Sequence, residues 1–407
     1  MNMPLSAATS EALDGMKTSA REELGKILEW WARHMIDHTH GGFYGRTDGR
    51  GKRHPEADKG VILNTRILWT FSAAARQPGF HDDRACADRA FVYLTQNFWD
   101  EREGGFYWML DYKGQPVQTK KQIYAQAFAV YAMAEFYRLT GRREALERAN
   151  ETFRLIEENS RDTVRGGYFE AFAADWSPLA DLRLSEKDAN EAKTMNTHLH
   201  VLEAYTTLLR VAPSGEVHDA LRSLTDLFLE KFLDPDTAHF RLFFNENWEL
   251  RSDLISFGHD IEAAWLLCDA AEALGDRELL EKTRAAAVRV ADRTLRSGVD
   301  PSDGGLWNEA DSLGLTDRNK DWWPQAEAVI GFLYALHISG EARFADAALR
   351  SWAFIEQHLK DEQNGEWFWA LKADGTPDLE NDKAGPWKCP YHNGRACLKI
   401  AFDGFGL

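Results

Sequence analysis

The chain has 407 residues, 44% of them hydrophobic, which is ample for a large buried core, and its formal net charge is −17. This acidity argues against nucleic acid or an anionic membrane surface as a partner. No basic-then-apolar leader opens the chain, and no apolar run approaches the roughly 20 residues of a membrane span. The four cysteines show no CxxC spacing, which indicates reduced thiols in a cytoplasmic protein.

One short pattern recurs six times, at intervals of 61–72 residues. It begins as Gly41-Gly-Phe-Tyr44 and ends as Gly365-Glu-Trp-Phe368, and the fourth copy, Ala238-His-Phe240, has lost its glycines. Four positions before each copy stands an aspartate: Asp37, Asp100, Asp162, Asp234, Asp300 and Asp361. An aspartate followed by two glycines is typical of a tight turn, because the carboxylate can accept bonds from amides ahead and glycine allows positive φ.

Each copy lies between two predicted helices. The helices before the turns have one apolar face and a charged outer face, at approximately 12–35, 82–98, 142–159, 217–232, 277–297 and 341–358. The helices after the turns are apolar around most of their circumference, at approximately 60–76, 120–139, 191–211, 257–274, 321–338 and 389–402. No Pro/Ser-rich linker interrupts the series.

Twelve helices that alternate between outer and inner positions predict an all-α, single-domain (α/α)6 barrel. We expect the domain to cover residues 12–402 and residues 1–11 to form a flexible segment. An open helical solenoid is the competing architecture, because a sixfold repeat alone does not exclude it.

This alternation brings every turn, and the beginning of every inner helix, to one rim. The polar and aromatic side chains at these places are Arg66, Tyr124, Gln126, Asn196, His200, Glu203, His259, Glu262, Trp322, Trp323, Gln325, Glu327, Trp387, His392 and Arg395. Buried polar groups need hydrogen-bond partners or water, so this set of side chains together predicts a pocket. His259 lies in the first turn of a helix for which Ser256 is a good N-cap, and Glu262 is close enough to touch its imidazole.

Several chemistries lack their signatures. There is no HExxH spacing, no glycine-rich loop between a strand and a helix, and no GxSxG elbow, so we expect no metal, nucleotide or serine nucleophile. Proton transfer by histidines and glycoside hydrolysis by two carboxylates both fit the polar residues, as does a catalytically silent sugar-binding protein. For Trp322 and Trp387, core packing competes with sugar stacking.

Five runs of residues carry a family resemblance. They are Asp58-Lys-Gly-Val-Ile-Leu-Asn-Thr-Arg-Ile-Leu-Trp-Thr-Phe-Ser72, Lys193-Thr-Met-Asn-Thr-His-Leu-His200, Ser256-Phe-Gly-His-Asp-Ile-Glu262, Trp322-Trp-Pro-Gln-Ala-Glu327 and Gly385-Pro-Trp-Lys-Cys-Pro-Tyr-His-Asn393. Together they resemble the N-acylglucosamine 2-epimerase family from about residue 20 to about residue 400. The resemblance implies an (α/α)6 barrel and cofactor-free epimerisation at C2 of a reducing-end aldose.

The resemblance also implies roles for ten residues. His259 and His392 are the acid/base pair; Arg66, Asn196, His200 and Glu262 polarise or orient the open-chain sugar; Trp322 and Trp387 hold its rings; and Tyr124 and Glu327 line the pocket. We expect a monomer acting on a β-1,4-linked disaccharide such as cellobiose or lactose. A mannose 2-epimerase, an N-acylglucosamine 2-epimerase and an aldose–ketose isomerase are the alternatives within the family.

The residue types suit that chemistry independently. A hydrogen α to an aldehyde can be removed only if the developing enediolate oxygen is stabilised, and a donor such as Arg66 or Asn196 in a dry pocket contributes roughly 3–4 kcal/mol. Histidine supplies bases near pH 7. We expect Glu262, beside His259, to favour the imidazolium and to fix its tautomer.

Overall fold

The chain folds into two rings of helices. A computed structural model describes residues 5–186 and 188–403. The outer helices are α1 (Ala7–His34), α3 (Arg84–Tyr93), α5 (Arg143–Asn159), α7 (Gly215–Leu227), α9 (Arg277–Ser297) and α11 (Ala342–Phe354). The inner helices are α2 (Val61–Ala75), α4 (Ile123–Thr140), α6 (Met195–Val211), α8 (Phe257–Leu274), α10 (Trp322–Ser339) and α12 (Tyr391–Phe402). A 3₁₀ turn, His81–Asp83, precedes α3, and α3, α7 and α11 each end in a π-helical turn, at Leu94–Phe98, Phe228–Phe232 and Ile355–Leu359.

The inner ring is closed. Each inner helix packs on the next, from α2 through α4, α6, α8 and α10 to α12, and α12 packs on α2. At the seam of the outer ring, α1 packs on both α11 and α12. An open solenoid would leave its first and last inner helices apart, so this closure confirms the predicted (α/α)6 barrel.

Short antiparallel strands follow the turns and precede the inner helices. They are β1 (Lys59–Gly60), β2 (Met109–Leu110), β3 (Pro116–Gln118), β4 (Lys121–Gln122), β5 (Ala171–Phe172), β6 (Lys193–Thr194), β7 (Phe243–Phe244), β8 (Ile255–Ser256), β9 (Glu309–Asp311), β10 (Gly314–Asp317), β11 (Lys320–Asp321) and β12 (Ala370–Leu371). The strand before an inner helix pairs with a strand after the next turn: β1 with β2, β4 with β5, β6 with β7, β8 with β9 and β11 with β12. A bridge between Thr47 and Ala384 joins the two ends of this rim.

A buried ion pair fastens each of five turns to the inner helix that follows. In the first, one oxygen of Asp37 accepts bonds from the amides of Thr39 and His40, and the other accepts a bond of 2.8 Å from Lys59 Nζ. The same arrangement recurs as Asp100–Lys121, Asp162–Lys193, Asp300–Lys320 and Asp361–Lys383. The predicted turn chemistry is confirmed, and the lysines complete it.

In the first turn, both the backbone conformation and the available space require glycine at the second position. Gly42 has φ of +60°, and a Cβ there would lie 2.6 Å from the ring of Tyr93. A polar residue of the next inner helix then clamps the turn's backbone: the Gln126 amide both donates to and accepts from Phe106. Gln126 therefore supports the rim and does not face the pocket.

The fourth repeat is built differently. Ile255 stands where the other repeats have their lysine, and Asp234 pairs instead with Arg241. Ala238 takes the positive φ of the missing glycine, at +58°. Asp260 holds this turn, accepting bonds from the amide of Phe240 and from the ring of His239.

The amino-terminal boundary differs from the prediction. Helix α1 begins at Ala7, so residues 7–11 are helical and do not form a flexible segment. The hydroxyl of Ser6 accepts a hydrogen bond from the Thr9 amide, which caps the helix. Leu13 and Met16 are the first buried residues of the helix and pack it against the core. Residues 1–4 lie outside the described part of the chain.

All four cysteines are buried and free of disulfides. In the described ranges, no helix is both long enough and apolar enough to cross a membrane.

Removing one aspartate tests the importance of the buried ion pairs. Asp162→Ala leaves the fully buried Lys193 ammonium without its counter-charge, so we expect the free energy of unfolding to fall by about 3–5 kcal/mol. Asp234→Ala is the matched control, because its partner Arg241 is a third exposed, and we expect a clearly smaller loss. Urea denaturation followed by circular dichroism measures both, and equal losses would contradict the role given to the lysines.

Candidate active site

The site lies where the amino-terminal ends of the six inner helices converge. Every outer helix leads through its turn into an inner helix, so all six inner helices begin at the same rim. The amino-terminal end of a helix carries a partial positive charge, and this end of the barrel therefore favours negative charge in a bound molecule.

Arg395 lies at the centre of the barrel, completely buried on α12. Its guanidinium donates to Glu203 of α6, to Glu262 of α8 at 2.6 Å and to Glu327 of α10 at 2.7 Å. Tyr391 also bonds Glu203. Four of the six inner helices are thus held by one cation, which fixes the carboxylates around it.

His392 is held by this cluster. Its Nδ1 lies 2.8 Å from Oε1 of Glu327, while the other Glu327 oxygen accepts a bond of 3.1 Å from the indole nitrogen of Trp265. Burial lowers the pKa of His392 to about 3, although Glu327 opposes the shift. The imidazole is therefore neutral at pH 7, with its tautomer fixed and Nε2 left for a substrate.

His259 has a different partner from the one predicted. Its Nδ1 lies 2.8 Å from the hydroxyl of Ser256, which consequently makes no N-cap bond, and the Glu262 carboxylate turns to Arg395. The prediction that Glu262 touches His259 is wrong, because a buried guanidinium attracts a carboxylate more strongly than a neutral imidazole does. Burial, and then the nearby His200, lower the pKa of His259 to about 3, so Glu262 does not stabilise an imidazolium there.

The two imidazoles flank a single indole. The ring of Trp323 lies 4.7 Å from the ring of His259 and 5.5 Å from the ring of His392. The histidines belong to different inner helices, α8 and α12, so they approach the space beside Trp323 from different directions.

Arg66 supplies an unpaired positive charge. Its guanidinium donates to the Tyr124 hydroxyl at 2.6 Å and to the Trp387 carbonyl at 3.4 Å, and it lies over the ring of Phe128 at 4.3 Å. It is 3% exposed and forms no ion pair with any described residue. A buried charge without a counter-ion is costly, so an anionic group on a ligand would be bound strongly here.

His200 and Asn196 lie on the face of α6 that turns to this space. The His200 ring packs against those of Tyr124 and Phe128, and its Nδ1 lies 3.0 Å from Glu203. The side-chain oxygen of Asn196 is buried without a hydrogen-bond partner in the described chain. A sugar hydroxyl would satisfy it.

The two predicted tryptophans lie in different surroundings. Trp387 is half-buried, with the rings of Trp108 and Tyr124 at 5.9 and 6.1 Å. Trp322 is almost fully buried against Trp369 and offers no open face, although its indole nitrogen has no partner among the described residues.

The carboxylates beside His392 are also candidate ligands for a metal ion. Glu262, Glu327 and His392 each bring one ligand atom within 4.8 Å of the others. The Arg395 guanidinium already bonds both carboxylates, so a divalent cation would have to lie against it or displace it. Burial and then Glu327 raise the pKa of Glu262, whereas Arg395 and His392 overcome burial and lower the pKa of Glu327. This donor set suits arginine better than a metal ion.

Nine of the ten predicted site residues are interlinked or adjacent at this end of the barrel, and Trp322 lies behind them. The sequence analysis gave Ser256 only an N-cap role, listed Trp323 at the rim without a role, and assigned none to Trp265 or Tyr391. Ser256, Trp323 and Tyr391 lie within the runs that carried the family resemblance, which is where a signal for them existed.

Comparison with known proteins agrees with this geometry. Residues 41–396 match the family model of N-acylglucosamine 2-epimerase (GlcNAc 2-epimerase). A cellobiose 2-epimerase from Bacteroides fragilis is 46% identical over 95% of this chain and 98% of its own length. The solved cellobiose 2-epimerase from Bacillus thermoamylovorans B4167 is 39% identical with a TM-score of 0.90, over 95% of this chain and 99% of that one. A sugar epimerase from a ruminal bacterium is 36% identical with a TM-score of 0.92, over 96% and 99%.

The chain belongs to the N-acylglucosamine 2-epimerase family. It is a carbohydrate 2-epimerase, an isomerase that acts on a sugar.

The lowered pKa values of the histidines predict the acid limb of the pH profile. A base must be neutral, so depressing its pKa from near 6.5 to about 3 extends activity to lower pH. We expect kcat/KM to stay nearly constant between about pH 7 and about pH 5.5. Enzyme held at the lower pH and assayed at pH 7 controls for unfolding, and a tenfold fall per pH unit below 6.5 would contradict the neutral imidazoles.

Proposed function

We propose that this epimerase inverts C2 of the reducing-end unit of a β-1,4-linked disaccharide such as cellobiose, with His259 and His392 as its two proton-transfer groups. The single observation that carries the proposal is the pairing of two neutral imidazoles on different helices with an arginine that has no counter-ion among the residues the structure describes. Two bases and one unpaired cation are what epimerisation next to a carbonyl group needs.

In this mechanism one histidine takes the hydrogen from C2 of the open-chain aldose. The electron pair of the broken C–H bond forms a C1–C2 double bond, and O1 takes up negative charge as an enediolate. Arg66 and the amino-terminal ends of the inner helices stabilise that charge, which develops only as the hydrogen leaves. Asn196 and His200 orient the hydroxyl groups, and Tyr124 holds the guanidinium of Arg66.

After rotation about C2–C3, the second histidine, which has taken a proton from solvent at Nε2, gives that proton to the other face of C2 and returns to its neutral form. The first histidine releases the hydrogen it removed to solvent as a proton. The C1–C2 double bond opens, the C2–H bond forms and the aldehyde is restored, so the reaction needs no oxidant, nucleotide or metal. Glu327 supports this step because it stabilises the imidazolium that His392 becomes when it holds a proton. Glu262 acts through Arg395, which keeps Glu327 in place.

The preference for a disaccharide rests on the aromatic residues. Trp387 has a half-buried ring beside the half-buried ring of Trp108, and these two neighbouring indoles can stack on successive sugar units. Trp322 packs behind the site against Trp369 and supports it without touching the second unit. The relatives named as cellobiose 2-epimerases cover almost the whole chain, which supports the same choice. The proposal also includes a cytoplasmic location, with which the free cysteines are consistent, and a monomeric state.

A panel of sugars tests the reaction and its substrate together. We expect cellobiose to yield glucosyl-mannose, and kcat/KM for cellobiose to exceed that for mannose, glucose or N-acetylglucosamine. Chromatography of the products makes the distinction. Release of monosaccharides would indicate a glycosidase, a ketose product an aldose–ketose isomerase, and faster turnover of mannose or N-acetylglucosamine a sister 2-epimerase.

Truncating one aromatic ring tests the disaccharide subsite. Trp387→Leu should lower kcat/KM for cellobiose about five-fold, as expected when a stacking contribution of about 1 kcal/mol is lost. The same variant acting on mannose is the control, because a monosaccharide does not fill both subsites. An equal loss on both sugars would remove the reason for a two-ring site.

Replacing the histidines tests their assignment. His259→Ala and His392→Ala should each reduce the rate of epimerisation by about 10²–10⁴-fold, the range typical of general acid–base catalysis. His218→Ala, at an exposed histidine on the outer helix α7, should leave the rate unchanged. Near-normal turnover in either active-site variant would refute the two-histidine assignment.

A further inference from the structure

A cavity occupies the end of the barrel opposite to the active site. It has a volume of about 460 Å³ and is lined by the carboxyl-terminal halves of all six inner helices. This volume falls within the range of small-molecule sites. The cavity lies behind the active site, from which the layer containing Glu203, Trp265 and Arg395 separates it.

The charges in its wall are already paired. Glu135 accepts bonds from both Arg76 and Arg138, and Arg210 forms a two-pronged pair with Asp269 at 2.9 Å for each bond. At the rim, Lys399 pairs with Asp403. An ionic ligand would have to compete with these pairs, whereas a neutral ligand can bond to them without displacing them.

The helix dipoles also disfavour the binding of an anion in this cavity. Six carboxyl-terminal helix ends bring partial negative charge to this end of the barrel, the opposite of the active-site end. Arg138, Arg210 and Lys399 lie in last turns and offset that charge. The cavity is thus polar, close to neutral and rich in groups that bond hydroxyls.

Aromatic and hydroxyl groups complete the wall. Trp69 is 7% exposed, and its indole nitrogen has no hydrogen-bond partner in the described chain, which leaves a donor unsatisfied beside the cavity. Tyr131 stacks on Trp69 at 5.1 Å, and Thr207 and Gln77 add further polar groups. Aromatic rings alongside paired arginines and carboxylates are the chemistry that recognises a polyhydroxylated, uncharged molecule.

We propose that this cavity is a second, non-catalytic saccharide site, which takes a neutral mono- or disaccharide through Trp69, Tyr131, Thr207 and the paired charges. Its occupant would contact Glu203, Trp265 and Arg395, the residues whose other contacts hold His392 in the active site. The site can therefore sense sugar independently of the reaction. Its existence does not rest on the activity proposed above.

Indole N–H signals in a nuclear magnetic resonance titration test the site directly. The probe is methyl β-cellobioside, whose locked reducing end cannot be epimerised, added to the ¹⁵N-labelled full chain. Trp69→Phe and Trp387→Phe assign two of the fifteen tryptophan signals, one beside each site. We expect both signals to shift and saturate, each with its own midpoint.

A cavity variant separates local binding from a transmitted effect. Thr207→Val should raise the Trp69 midpoint about five-fold, as for one lost hydrogen bond, and leave the Trp387 midpoint unchanged. Gln77→Leu, at the rim, is an independent second variant with the same expectation. A Trp69 signal that does not move, that follows the Trp387 midpoint in every variant, or that responds to sulfate and not to sugar would overturn the proposal.

Discussion

The active site depends on the ion pairs that the buried guanidinium of Arg395 forms with three glutamates. The guanidinium bonds Glu203, Glu262 and Glu327, which come from three inner helices, while it belongs to a fourth. Each carboxylate would be too costly to bury alone, and so would the arginine. Because these groups satisfy one another, the barrel axis can be polar, and Glu327 can orient His392 with a charge that the cluster has already stabilised.

The alternation of the helices, and with it the fold, could be predicted from the sequence. The six aspartates in one phase marked the turns, and the change from one-sided to all-round apolar helices distinguished outer from inner. The lysines were missed because a lysine beside a helix start, as four of the five are, or in a loop, as Lys383 is, looks like an exposed polar residue until the turn is seen to fold over it. Helix α1 began earlier than expected because its first residues carry little apolar periodicity and depend on the Ser6 cap.

The members of the site could be predicted better than their contacts. Periodicity shows which face of a helix a residue occupies, so Arg66, His200 and His392 were placed at the correct end. It does not show which of several partners a side chain chooses. Glu262 was therefore assigned to its neighbour on the same helix, His259, when Arg395, 133 residues away along the chain, attracts it more strongly. The pattern placed both Trp322 and Trp323 at the rim, because adjacent tryptophans at a helix start cannot be told apart by pattern alone, and the resemblance then gave a role to Trp322 only.

Proton transfer at C2 is tested most directly by turnover of cellobiose in D2O. If one histidine removes the hydrogen and the other returns a proton, the second group carries solvent deuterium. The epimer formed should then contain close to one deuterium at C2, with little return of the original hydrogen. Mass spectrometry and proton NMR of the product measure this. Epimer that retains its original hydrogen at C2 would contradict proton transfer by His259 and His392.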